Sequence, residues 1–195
     1  MSWIITGTSV PFDNDAWTYI RAVEIADGQI LEQATRNAIT NFVIGCKADG
    51  IWTAIKASCI LSGARTLAGA LIPLAGTAPT NVGPFISGDY NRKTGLVGDG
   101  STKYLDSNRN SNVDPQNSNH QALYLTTLPT IGAGLMGAGT GGAGGDTNIL
   151  VAATRSRSTA AANYSSSLVS GFAGLSRDNS AGYINRANNV SLSIT

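Results

Sequence analysis

Two periods divide the chain. Through about Gly63, apolar residues recur at helical spacing. Asn14 or Asp15 can cap a first helix that carries Trp17, Ile20 and Val23 on one side and stops before Gly28. A second helix follows from Leu31, Ala34, Ala38, Ile39, Phe42, Val43 and Cys46, which keep the i, i+3, i+4, i+7 spacing of one apolar face, with Asp49-Gly50 as its end. A third is predicted from Ile51 to Leu61, burying Trp52, Ile55 and Cys59. ARTLAGALIPL then lacks a clear period, and AGTAPTNVGP gathers Gly, Pro, Thr and Asn as a linker does. Beyond it come short β-like runs between turn residues: GLVG, KYLDS, ALYLTTL, NILVAAT, LVSGFAGLS, GYINRA and VSLSI. Their spacing predicts an antiparallel β-sandwich. The expected organisation is a helical segment over 1–74, a linker over 75–86 and the sandwich over 87–195.

One stretch in the β half changes the picture if it binds a nucleotide. GAGLMGAGTGG, from Gly132 to Gly142, fits G-x-G-x-x-G twice. That pattern has meaning only where a strand enters and a helix leaves, because the helix N-terminus holds the pyrophosphate. Here Ile149-Leu150-Val151 follows, a strand-like run, and no acidic residue lies between Asp146 and Asp178 to take a ribose hydroxyl. The stretch is therefore expected to be a glycine loop between strands.

Charged residues make up 13% of the chain and the formal net charge is +1. So weak a field excludes general attraction to nucleic acid or to an anionic membrane. Solubility falls to Asn, Ser, Thr and Gly. The region Ile51 to Leu74 is too broken by Lys56, Arg65 and Pro73 to span a bilayer, and MSWIITGTSVPFD lacks the basic start and long apolar region of a secretory signal. Cys46 and Cys59 are expected as buried free thiols on helices, and two cysteines with one histidine give no zinc spacing.

Candidate chemistry is sparse. Glu24 and Glu32, the chain's only glutamates, both lie in the helical part, while Asp89, Asp99, Asp106, Asp114, Asp146 and Asp178 sit among turn residues. A glycosidase pair of facing carboxylates is not suggested, and His120 has no nucleophile elbow beside it. No catalytic residue, metal or cofactor is predicted. The polar loop NRNSNVDPQNSNH presents Asn110, Asn112, Asp114, Asn117, Asn119 and His120; a hydrogen-bonded polar loop is expected in preference to a calcium cage, and the same uncharged groups, as weak candidates, would suit sugar hydroxyls. Tyr90, Tyr104 or Tyr124 would supply the ring of a sugar site, with Tyr90 the first candidate. Arg155 and Arg157 share one face if TRSRS is a strand, a weak basic patch.

GCKADGIWTAIKASCILSGARTLAGALIPL, SGDYNRKTGLVGDGSTKYLDSNRN, DPQNSNH and GFAGLSRDNSAGYINR resemble proteins of tailed phages and prophages in which a helical N-terminal segment precedes a concanavalin A-like, laminin-G-like jelly roll. TGLVGDGSTKYLDS is the most diagnostic piece and resembles the opening strand, turn and second strand of that fold, with Gly98, Asp99 and Gly100 in the turn. The resemblance implies a non-enzymatic virion component, a tail fibre or tail-associated protein, with a head-surface decoration protein or a module binding host-surface glycan as alternatives. It implies other virion proteins and copies of the chain itself as partners, trimeric by family habit. Family members usually continue past the point where this chain reads VSLSIT. Val190, Leu192 and Ile194 alternate there as in mid-sheet, so a neighbouring subunit or further residues are expected to pair with that strand.

Overall fold

The computed structural model describes residues 10–129, 134–139, 146–156, 164–165 and 168–195. They form two compact units, residues 1–108 and 109–195. The division falls after Asn108, downstream of the 75–86 stretch that reads as a linker. Residues 80–82 in that stretch pair with residues 104–106, which keeps 87–108 in the first unit.

The first unit begins with helix α1 (Asn14–Asp27). Its cap is Asp13, one residue earlier than predicted, whose carboxylate accepts from the amides of Asp15 and Ala16 at 3.0 and 3.1 Å. Gly28 closes the helix at φ 65°, in the left-handed region. Ala16, Tyr19, Ile20 and Val23 form the buried stripe. Helix α2 (Gln33–Ala48) buries Ile39, Val43 and Cys46. Its predicted apolar face is split, because Ala34, Ala38 and Phe42 stand exposed in a row at i, i+4, i+8. Lys47 near the end of α2 reaches Asp13 and Asp15 at 2.7 and 2.6 Å, tying the end of one helix to the start of the other.

The third predicted helix does not form. Trp52–Ala54 make a single 3-10 turn, and the chain then extends into strand β1 (Ser58–Cys59). Ile51, Thr53 and Ile55 are β-branched and weak helix formers, and an alternative partner is at hand. After the short helix α3 (Leu67–Ala70), strand β2 (Pro73–Ala75) returns antiparallel to β1. Cys59 therefore lies on a strand; both cysteines are free thiols, and burial raises the pKa of each. Strand β3 (Thr80–Val82), the hairpin β4 (Tyr90–Asn91) and β5 (Gly95–Leu96), and β6 (Tyr104–Asp106) complete the unit. The segment TGLVGDGSTKYLDS is not a hairpin, since β5 pairs with β4 while β6 pairs with β3. Asp99 does organise its turn, accepting from the amides of Ser101, Thr102 and Lys103, which with the Thr102 hydroxyl holds its carboxyl well below the usual range.

Two buried carboxylates on α1 hold this unit together. Asp27 accepts from the amides of Arg65 and Thr66 at 2.7 and 2.9 Å and from the Thr66 hydroxyl at 2.7 Å. Thr66 in turn caps α3 by accepting from the Gly69 amide. A Cβ at Gly69 would lie 2.2 Å from the Asp27 carboxylate, so α3 approaches this closely only with glycine there. Glu24 accepts from the Leu31 amide at 3.1 Å, from Arg21 at 3.1 Å and from Arg36 through both Nε, at 2.7 Å, and Nη2. Both guanidinium groups also lie 5.9 Å from the centre of the half-exposed Trp17 ring. Glu32 bridges Arg65 and Arg92, and Arg92 draws its pKa down to about 2.

The second unit consists of two four-stranded antiparallel sheets. Its strands are β7 (Asn119–Leu125), β8 (Gly134–Ala138), β9 (Thr147–Leu150), β10 (Ala153–Ser156), β11 (Tyr164–Ser165), β12 (Gly171–Arg177), β13 (Tyr183–Ala187) and β14 (Val190–Ile194). One sheet runs β11-β10-β9-β8 and the other β14-β13-β12-β7, so a four-strand meander is inserted between two neighbours of the second sheet. Ile149 and Leu135 from the first sheet share one apolar cluster with Leu123, Leu125, Ala173, Leu175, Tyr183 and Ala187 from the second. The glycine stretch is itself a strand over Gly134–Ala138, and residues 132–133 and 140–142 lie outside the described ones. Mainly antiparallel sheet, with the α-helices in the first unit among the described residues, is the fold class observed.

Burial raises the pKa of Glu24, but the hydrogen bonds from Arg36, Leu31 and Arg21 outweigh it, and the net value lies below the ordinary glutamate range. Such a group adds stability above its unfolded pKa of about 4.3 and loses it as pH falls through the lower folded value. Glu24→Gln is expected to cost about 2 kcal/mol in denaturant unfolding at pH 7. It is also expected to flatten stability against pH below about 4, where the wild-type protein weakens; an unchanged midpoint at pH 7 would contradict the role given to Glu24.

Candidate functional site

The predicted ligand residues are divided between the two units. Tyr90 belongs to the first unit, where it packs against the helical core and donates its hydroxyl to the Ala64 carbonyl at 2.8 Å. Burial, with Asp27 nearby, pushes its pKa up to about 12, which keeps it a donor. It is a structural tyrosine and not a sugar platform.

The 108–120 loop is occupied with its own architecture. Asn110 caps a single 3-10 turn (Ser111–Val113) by accepting from the Asn112 amide at 2.9 Å. Asp114 pairs with Arg109. Asn119 donates to the carbonyls of Pro115 and Gln116 at 3.2 and 2.8 Å. Asn117 accepts at 3.2 Å from Arg177, a buried cation whose other acceptors are the carbonyls of Ser156, Asn179 and Ser180. These side chains solvate the chain and each other, which is how an uncharged polar loop avoids leaving backbone groups unpaired. Among the described residues no group of three or more His, Cys, Asp or Glu could hold a metal.

His120 is the exception. In β7, residues 120, 122 and 124 face outward, because their neighbours 119, 121, 123 and 125 line the inner face. The register then builds rungs across the outer face. Tyr124 stands opposite Phe172, Ala122 opposite Gly174 and Arg186, and His120 opposite Ser176 and Ile184. Nδ1 of His120 lies 2.7 Å from the Ser176 hydroxyl. Burial of part of the ring, then the positive charge of Arg186, lowers its pKa. Among the described residues no carboxylate orients this histidine, so a Ser–His pair is present without the third group of a triad.

Tyr124 and Phe172 are 74% and 48% exposed. Tyr124 is among the rings suggested by sequence; Phe172, Ser176 and Arg186 are not, although the alternation of GFAGLSR and GYINRA places all three on one face. Arg155, by contrast, pairs with the buried Asp146 at 3.3 Å, and Arg157 lies outside the described residues. Of the turn aspartates, Asp89, Asp99 and Asp106 accept from nearby backbone amides, whereas Asp114 and Asp146 are held in pairs with arginines. Asp89 accepts from the Ile86 amide and Lys103, and Asp106 from the Asn108 amide. Glu24 and Glu32 are both held by arginines.

Among the described residues no helix is long and apolar enough to cross a membrane. His120 is expected to titrate below the ordinary value of about 6.5, and the midpoint should rise in Arg186→Gln. Because the folded chain disfavours the protonated ring, this group removes stability as pH falls through about 6.5 and costs nothing above it. A titration of the imidazole signals by NMR checks both, and a midpoint unmoved by Arg186→Gln would contradict the pairing of these two residues. No protein-family model matches this chain, nor does any characterised protein or solved structure.

Proposed function

We propose that this is a non-enzymatic structural component of a tailed-phage particle, which docks through its helical unit, associates with copies of itself and displays the two-sheet unit as a lectin-like sandwich. One observation supports the association most. Val190, Leu192 and Ile194 of β14 pair with Ala187, Asn185 and Tyr183, so all six belong to the inner face of their sheet. The three on β13 are buried, yet Val190 and Leu192 are 51% and 37% exposed. Among the described strands β14 lies at the edge of its sheet, next to β13 alone. An open edge beside an uncovered apolar row is a template for another strand.

A docking role for the helical unit is supported by the exposed row Ala34, Ala38 and Phe42 on α2. Low charge and a surface rich in small polar residues suit a protein that lives packed among copies in a particle. The jelly-roll connectivity and the choice of tail over head surface rest on the resemblance to phage and prophage proteins. What the geometry supports is a unit with two antiparallel sheets around one core, arranged as one meander inserted in another.

An antibody raised against the full chain is expected to label intact tailed particles, from a lysate of cells carrying this gene, at regularly repeated positions in electron micrographs. Chain found only in the soluble fraction, with particles unlabelled, would contradict the proposal.

A further inference from the structure

The outer face of the β7–β12–β13–β14 sheet carries a combination that its own fold does not use. Tyr124 and Phe172 stand side by side on neighbouring strands with both rings largely in solvent. The tip of the Phe172 ring leans over Gly174: a Cβ there would come within 3.0 Å of its Cζ. That glycine lets the ring lie along the sheet instead of standing away from it. On the same rung as Gly174 is Arg186, exposed and with no hydrogen bond or ion pair among the described residues. Ser176 and His120 lie one rung further on. The remaining outward positions are Ala122, Ile184, Ser191 and Ser193, so no acidic side chain on these strands answers Arg186.

We infer that this face binds a saccharide bearing a carboxylate. A pyranose ring presents C–H groups on one face, which pack on aromatic rings, while its hydroxyls need convergent polar partners. Phe172 and Arg186 are diagonal neighbours on adjacent antiparallel strands, about 7–8 Å apart at their backbones, a span that one sugar ring with an exocyclic carboxylate covers. The guanidinium offers a forked pair of donors matched to a carboxylate, and the Ser176 hydroxyl with the imidazole of His120 can serve the ring hydroxyls. A protein partner suits the face less well, because its apolar part is Tyr124, Phe172, Ala122 and Ile184 set among His120, Arg186 and three serines, without the broad apolar core of a stable interface. The inference does not depend on the particle assignment.

The test is an NMR titration of the 15N-labelled full chain with two matched pairs of probes: trigalacturonate against its methyl ester, and sialyllactose against lactose. The amides of Gly174, Ser176 and Arg186 are expected to shift with the acidic member of at least one pair, and the neutral member should bind about tenfold more weakly. Arg186→Gln should bring the acidic probe down to the neutral one, whereas Phe172→Ala should weaken both. Both substituted side chains point outward, so an unchanged amide spectrum elsewhere shows that each variant is folded. The inference is overturned if neither acidic probe shifts these amides at millimolar concentration, or if Arg186→Gln leaves the preference for the acid intact. It is equally overturned if the Tyr124 and Phe172 signals broaden with protein concentration alone, which would assign the face to contacts between copies.

Discussion

A charge taken out of water must be solvated by the chain itself, and both units are arranged around that requirement. In the first, Glu24 and Asp27 sit one turn apart on α1 and each collects three donor groups, from the Leu31 loop and two arginines in one case and from the start of α3 in the other. The loop after α1 and the entry to α3 are thereby held to a single helix. In the second, the buried Arg177 is surrounded by three backbone carbonyls and the amide oxygen of Asn117 with no carboxylate among them. The turn after β12 and the approach to β7 are shaped to bring those oxygens in. With so few charges in the chain, those that are buried act as anchors for loops that have little apolar content of their own.

Once loops are committed in this way, the surface left for function lies elsewhere. The 108–120 loop, rich in groups that could meet a ligand, spends them on its own turns and on Arg177. The strands keep what the loop cannot offer. Their outer face has aromatic rings and a guanidinium with no hydrogen bond or ion pair among the described residues, and the inner face of β14 has an apolar row of which Val190 and Leu192 stay exposed. These two features serve different ends, one a flat polar-aromatic surface and the other a strand edge ready for backbone pairing.

Much of this was legible in the sequence where periodicity and burial agree. α1 and α2 follow from their apolar spacing, and most strands of the second unit follow from short β-rich runs between turn residues. The failures share a cause: a local pattern was compatible with more than one partner. Trp52, Ile55 and Cys59 have helical spacing, yet pairing of Ser58–Cys59 with Pro73–Ala75, far off in sequence, decides their state. TGLVGDGSTKYLDS looks like a hairpin, but its two strands find partners at Tyr90–Asn91 and Thr80–Val82 instead. Tyr90 and the Asn-rich loop were attractive as a site because side-chain chemistry is visible in sequence and its consumption by neighbours is not. The outer-face group of Tyr124, Phe172 and Arg186 was hidden for the opposite reason, since only the register of three strands brings it together.

The central claim is that the β14 edge and its open apolar row are covered by another copy of the chain. Light scattering of the full-length protein, alone and as Leu192→Lys, tests this most directly. The account predicts one discrete oligomer for the wild type and a shift to monomer for the variant, whose charge would be buried in the pairing. A wild-type protein that stays monomeric across the accessible concentration range would contradict it.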